Sequence, residues 1–348
     1  MRESILRKLL SKLALSSLAI MILIFSSGFS SAEAGNEHAK KQKKLKVALL
    51  LPGPANDGGF MESAYRGLMK AKEDFRLKAT YVDNVPHDTA KIADELRKLA
   101  KKKPDMIIAH AGQSSEAVKL VSKEFPKIKF VNTQTSLTGD NLSSYQVKQE
   151  ESAWLAGAAA GLLTKSNVVS HISGARVTPG FHGRAAFAGG LKYTNPNATF
   201  LTTFTGNQDD AALAKKVAQA QIAAGSDMIF TMLNVARSGV TEAARENGVF
   251  QFGNVRDYYA DAPDVFIGSA ISDAGFTVYG AIKDLAEGKW KPNTVVKIGL
   301  ENPDAVRLAL APTVPQEVKD KIAEFTEKIK SGEIIVPSQY TGPEFEVK

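Results

Sequence analysis

The chain has 348 residues, 44% of them hydrophobic, with a formal net charge of +7, five histidines and no cysteine. Without cysteine there is no disulfide, thiol nucleophile or thiolate metal site, and no histidines show the His-Glu-x-x-His spacing that sets two ligands on one helix face, so no metal and no cofactor is expected. The basic excess does not point to nucleic acid, because much of it sits in Lys40, Lys41, Lys43, Lys44 and Lys46 with no interleaved aromatics and no recognition motif.

In chain order, Arg2, Arg7, Lys8 and Lys12 precede an apolar run from Leu13 to Phe25, and Ala32-Glu33-Ala34 then offers small residues for cleavage before Gly35. The run is shorter than the roughly 20 residues that span a bilayer. Residues 1–34 therefore read as a cleavable secretory signal peptide and residues 35–45 as a solvated basic tail. No cysteine is available to carry a lipid at the new N-terminus. The mature protein is expected to be free of the membrane and, in a two-membrane bacterium, periplasmic.

The body of the chain begins with Val47 to Leu51, five apolar residues broken by Pro52, Gly53 and Pro54, the pattern of a strand buried on both faces of a parallel sheet. A helical pattern from Met61 to Phe75 follows, then strand Ala79 to Val82, helix Asp88 to Lys102, strand Met106 to Ala109, helix Ser114 to Glu124 and strand Lys129 to Asn132. This alternation means a parallel sheet with right-handed crossovers. After Tyr145 to Val147 the rhythm restarts, with helices at Glu150 to Leu163, Gly183 to Tyr193, Asp209 to Ala224 and Ser238 to Asn247. Between them lie strands at Val168 to Ile172, Thr199 to Phe204 and Met228 to Thr231.

The fold expected is α/β, with two doubly wound lobes. Three stretches are positioned to join them: Ser143 to Val147, Val265 to Ser269 and Val296 to Leu300. The middle one precedes an amphipathic helix, Ala274 to Gly288, that would return to the first lobe. The expected division is residues 46–144 with 270–296 in lobe 1, and 145–269 with 297–348 in lobe 2.

In open α/β sheets, ligands bind beyond the carboxyl ends of strands. That rule selects Asn56, Asp57 and Phe60, then His110 and Gln113 after the third strand, then Thr133 to Thr135. From the second lobe it selects Ser173 to Arg184, including Phe181 and His182, then Asn234, and Asn254 to Asp257. Each has a plainer alternative. Asp57 can cap the following helix, His110 can be a hydrogen-bonded structural histidine, Arg184 can pair with a surface acid, and Asp257 can cap a turn beside Tyr258 and Tyr259. Trp154 reads as core.

Catalysis finds no support. The first loop lacks Gly-x-Gly-x-x-Gly and the lysine-bearing phosphate loop, and Gly-x-Ser-x-Gly at a strand-to-helix elbow is absent. A secreted α/β enzyme would need a nucleophile or base that these loops do not supply.

Five stretches carry a resemblance in unbroken order: LLPGPANDGGFMESAYRGL from Leu50, EESAWLAGAAAGLLTK from Glu150, AGGLKYTNPN from Ala188, AAGSDMIF from Ala223 and KSGEIIVP from Lys330. On these the chain resembles the basic membrane protein family of solute-binding proteins, the group that includes the purine nucleoside receptor. The resemblance implies the type I periplasmic binding fold with three crossovers, a small-molecule solute in the cleft and an ABC transporter permease as partner; the mature protein is expected to be a monomer. It also implies that Phe60 stacks a purine base, that Asn56 or Asp57 hydrogen-bonds it, and that Phe181 or His182 supplies a second ring. The family's ribose-binding acid and lysine fall at Val255 and Ser272 here, and Asp257 matches the second acid. A free purine base or another heterocycle therefore fits as well as a nucleoside. A receptor for a membrane signalling protein is the alternative role.

Overall fold

The computed structural model describes residues 44–347. The leader and most of the basic tail expected from the sequence lie outside the described residues.

The alternation of apolar runs and amphipathic segments produces two six-stranded sheets. The first contains β1 (Leu45–Leu50), β2 (Leu77–Val82), β3 (Met106–Ala109), β4 (Lys129–Thr133), β5 (Leu142–Val147) and β11 (Val295–Ile298), in the order β11-β5-β4-β3-β1-β2. All of its pairs are parallel. The second contains β6 (Val168–Ser173), β7 (Thr199–Phe204), β8 (Met228–Met232), β9 (Phe250–Val255), β10 (Phe266–Ser272) and β12 (Val306–Leu310), ordered β12-β10-β9-β8-β6-β7, with only the β10–β12 pair antiparallel. Each sheet reverses its winding between the first strand and the third of its lobe, β1 beside β3 and β6 beside β8. Such switch points open a crevice at the strand ends.

Helices cover both faces: α1 (Phe60–Asp74), α2 (Thr89–Lys101), α3 (Ser115–Glu124) and α8 (Gly275–Ala286) on the first sheet, and α4 (Gln149–Leu163), α5 (Thr178–Thr194), α6 (Ala211–Ala223), α7 (Arg237–Asn247) and α9 (Gln316–Lys330) on the second. Their boundaries follow local chemistry. Asp88 caps α2 by accepting from Lys91 N at 2.9 Å, and Asp210 caps α6 by accepting from Leu213 N at 2.9 Å. Helix α4 is buried on nearly every side. Its Gly157 and the Gly190 of α5 let the two backbones meet, because a Cβ on Gly157 would stand 2.0 Å from Phe187 O and one on Gly190 1.9 Å from Trp154 O. Trp154, 2% exposed, packs edge-on to Tyr193 and Phe325 in the larger core cluster.

The chain passes between sheets three times, after β5, after β10 and after β11. The expected divisions at 144/145 and 296/297 fall inside β5 and β11, and the one at 269/270 falls inside β10. These strands run to the hinge before they cross. The first and third crossovers are tied side by side: Lys148 N donates to Ile298 O at 2.8 Å, and Leu300 N donates to the Glu151 carboxylate at 2.8 Å. Beside the second, Asp273 N donates to Ala305 O at 2.8 Å.

Candidate functional site

The strand ends of both sheets face one cleft, which holds two connected cavities. The narrower, about 100 Å³, lies at the two switch points. Phe60 reaches it from the first turn of α1, Gln113 from the turn after β3, Asn234 from the loop after β8, and Asn254 and Val255 from the end of β9. The wider, about 560 Å³, lies toward the hinge and takes in Gln134, Gln149, Glu150, Phe181, His182 and Lys297. The two share Gly112, Gln113, Gln149, Val177 and Pro179.

The nine residues singled out from the sequence divide into three groups. Phe60, Gln113 and Asn234 line the narrow cavity, and Gln113, Phe181 and His182 line the wide one. Asp57 and His110 lie behind the wall. The Asp57 carboxylate accepts from Gly59 N at 2.8 Å, Met61 N at 3.1 Å and Glu62 N at 3.1 Å, closing the start of α1, and the residue is 6% exposed. Burial pushes its pKa up, against the pull of those amides. His110 is fully buried, its Nδ1 is 2.7 Å from Thr133 Oγ1, and its ring lies 4.3 Å from that of Phe60. Burial drops its pKa to about 3, so a neutral imidazole backs the Phe60 ring at neutral pH.

Asn56 and Asp257 form the third group, exposed and lining neither cavity. The Asp257 carboxylate accepts from Tyr259 N at 3.0 Å, the turn-capping alternative. Its neighbours instead bridge the lobes. Arg256 Nε donates to Gly58 O at 2.9 Å and Tyr258 Oη to the same carbonyl at 3.2 Å. The Tyr258 ring is flanked by the guanidinium groups of Arg237 at 3.7 Å and Arg256 at 4.1 Å.

Helix α5 starts at Thr178, five residues before the predicted Gly183, which places Phe181 and His182 on its first turn. Arg184 is buried rather than at the surface, 8% exposed, and donates to the Glu344 carboxylate at 2.8 Å. Ser272 lines neither cavity; its hydroxyl lies 3.4 Å from Asn254 Oδ1. Val255 lines the narrow cavity with φ +77, a conformation a β-branched residue rarely adopts. Ala111 at φ +67 and Gln134 at φ +58 are also cavity residues. Strain of this kind collects where a site needs a particular backbone path.

The strand-end rule as applied passed over His87 and Gln208, in the loops after β2 and β7, and over Gln146, Gln149, Glu150 and Lys297 at the crossovers. The first two were findable by extending the rule to the flanking strands. The crossover residues had no signal beyond their nearness to a joining stretch.

A family model described as ABC transporter substrate-binding protein PnrA-like matches residues 44–340. The chain belongs to that family. Two curated relatives are similar over nearly their whole length. A purine-binding protein of Brucella abortus is 26% identical over 330 residues, 93% of this chain and 89% of the relative, and a basic membrane protein B of Borrelia garinii is 26% identical over 342 residues, 94% and 98%. Among solved structures, an ABC transporter solute-binding protein from Aeropyrum pernix superposes with a TM-score of 0.75 at 20% identity, covering 85% of this chain and 94% of that one. The fold is therefore the type I periplasmic binding fold, and this PnrA-like chain belongs to a family of ABC transporter substrate-binding proteins. Among the described residues no helix is long and apolar enough to cross a membrane.

Proposed function

We propose that this PnrA-like protein captures a purine, as the free base or its nucleoside, between its lobes and presents it to a permease. The observation that carries the reading is the wall of the narrow cavity: the Phe60 ring from one lobe with the Asn234 and Asn254 amides from the other. A ring face stacks a planar heterocycle, and amides offer both donors and acceptors to its edge. The purine-binding relative supports the same class. Phe60, Gln113, Asn234, Phe181 and His182 are the proposed ligand contacts. Asp57 and His110 hold the first wall in place, and Asn56 and Asp257 flank it from outside.

Ligand favours the lobe arrangement that encloses it only to the extent that it binds that arrangement better. The permease would then read a surface composed from both lobes. The protein is proposed to be secreted through a cleavable signal peptide, to act as a periplasmic monomer and to need no cofactor. Service to a signalling receptor is the second role, and it would use the same cleft.

Native mass spectrometry of the secreted protein, followed by identification of any released molecule, tests the class together with a thermal-shift panel of bases, nucleosides, sugars and amino acids. A released purine that raises the melting temperature is the expected result. A shift by sugars or amino acids alone would remove the purine assignment. Phe60→Ala should weaken purine binding by roughly 1–3 kcal/mol, the scale of aromatic stacking on a base. Calorimetry showing unchanged affinity in a folded variant would take Phe60 out of the site.

A further inference from the structure

The two lobes differ in charge at the ends that face away from the cleft. In a parallel sheet every strand starts at the same end, so the strand starts of the first sheet form a pole of lobe 1 opposite the cleft. Basic side chains gather there: Lys46 in β1, Arg76 and Lys78 at the start of β2, Lys102 and Lys103 before β3, and Lys127 before β4, all exposed. None of them has an ion-pair partner among the described residues. The acids nearby are engaged elsewhere. Asp74 accepts from Lys70 Nζ at 2.7 Å, Glu124 from Arg97 Nε at 2.8 Å, and Asp105 from Lys46 N at 2.7 Å, which leaves Glu73 and Asp140 to oppose these cations. The strand starts of lobe 2 are mixed instead: Lys165 stands before β6 and Asp227 before β8, and Arg245 pairs with Asp264 at 2.7 Å before β10.

Three of the lysines, Lys46, Lys78 and Lys102, line a shallow cavity of about 110 Å³ together with Val47, Leu99 and Pro104. Cations past a helix C-terminus complement its dipole, but that influence covers the last turn only, and Lys78 and Lys127 lie beyond it. We propose that this pole is a docking surface for a bilayer bearing anionic phosphate headgroups. The choice of a bilayer rests on the permease-served role proposed above, which sets the protein beside a membrane. Lysine is a compact point charge that meets phosphate without fixing its orientation, which suits a fluid layer of headgroups. Nucleic acid would call for bases to stack on exposed rings. The Trp290 ring at this end is instead covered by the Lys129 ammonium at 5.6 Å, and its Nε1 donates to Ser143 Oγ at 2.8 Å. Because the pole and the cleft lie at opposite ends of the strands, a docked protein keeps its cleft open to solute.

The test is co-sedimentation of the secreted protein with phosphatidylcholine vesicles, with and without about 30% phosphatidylglycerol, in about 50 mM and about 500 mM NaCl. Three triple variants are compared with the wild type, each with a melting curve: Lys78→Gln, Lys102→Gln and Lys103→Gln at the pole; Lys165→Gln, Lys216→Gln and Lys321→Gln on lobe 2; and Lys40→Gln, Lys41→Gln and Lys43→Gln in the tail. All three lose the same charge, so only its place differs. The wild type is expected to bind the anionic vesicles, to ignore the neutral ones and to be released by the higher salt. Each lysine held at an anionic surface is worth roughly fivefold, so the pole triple should lower partition at least about tenfold and the lobe 2 triple less than about threefold. Lys46→Gln with Lys127→Gln stands in if the pole triple fails to fold. No binding to anionic vesicles, equal loss in the pole and lobe 2 triples, or loss in the tail triple alone would overturn the proposal. Tighter binding to a single-stranded DNA oligonucleotide than to the anionic vesicles would replace the bilayer with nucleic acid, and displacement by millimolar inorganic phosphate at constant ionic strength would replace it with free phosphate. No purine enters these measurements, so their failure leaves the cleft reading standing, and a failed purine panel leaves a measured vesicle partition standing.

Discussion

Gly190→Val should destabilise the protein by about 3 kcal/mol, the upper part of the range for overpacking a core. The added Cβ would lie 1.9 Å from Trp154 O and 2.8 Å from Ala158 N, and neither backbone atom can swing aside as a flexible side chain would. Relief requires α4 and α5 to separate along a contact that also includes Gly157 against Phe187 O. Gly280→Ala on α8 is the control. A Cβ there meets only the Tyr145 ring at 3.9 Å, so the better helix propensity of alanine should leave stability equal or raise it by about 0.5–1 kcal/mol. Urea unfolding of both variants decides. A Gly190→Val midpoint at the wild-type value would mean the helices are not packed this closely.

Glu344→Ala should cost about 3 kcal/mol at neutral pH, the low end of what breaking a buried pair from one side costs. Glu344 comes from the C-terminal segment, beyond the residues the family model matches. It accepts from Arg184 at 2.8 Å and from both terminal nitrogens of Arg176. The Arg184 side chain is 10% exposed and Glu344 31%, so removing the carboxylate strands a buried guanidinium among Phe181, Phe204 and Tyr340. The Arg176 hydrogen bond, reinforced by Arg184, holds the Glu344 carboxyl below the ordinary glutamate value of 4.5. A depressed carboxylate pKa stabilises the folded state fully above that ordinary value, and the contribution is lost as pH falls through the folded value. The gap between wild type and variant should therefore be widest at neutral pH and shrink on acidification below 4.5. A gap independent of pH in urea titrations would show that packing, not charge, is what Glu344 contributes. The neighbouring pairing of Phe345 N to Thr202 O at 2.8 Å, along β7, is independent of this charge.

Much of the fold was legible because its signals are local. Apolar runs such as Met106–Ala109 and β-branched and aromatic runs such as Thr199–Phe204 are bounded by their own sequence, and acidic caps such as Asp88 mark where helices start. Elements without such marks were missed. β9 (Phe250–Val255) alternates with Gln251 and Gly253, whose burial comes from tertiary packing, and β12 and α9 follow the last crossover, where the βα rhythm stops. The early start of α5 was hidden by the Thr178-Pro179-Gly180 stretch, which reads as loop although Thr178 and Pro179 open the helix.

The strand-end rule brought Phe60, Gln113, Asn234, Phe181 and His182 to cavity walls, because it depends on topology alone. It could not say which way a side chain on those loops turns. Asp57 faces its own helix and Asp257 its own turn, a choice made by backbone amides two to five residues away. Glu150 and Lys297 come to one cavity only through the pairing of β5 with β11, a contact between segments about 150 residues apart that no local pattern encodes.

The crossovers just beyond that pairing bear on how the lobes can move. The first and third crossovers are joined through Lys148, Glu151, Ile298 and Leu300, and Asp273 of the second bonds Ala305 just past the third, so the three crossovers are tied into one band. A tied band favours bending about one line, whereas independent linkers would allow twist and slide as well. Closure about that band is expected to bring the two outer faces to one relative pose. A permease that reads both faces would then distinguish a filled receptor from an empty one by angle alone, without contacting the solute.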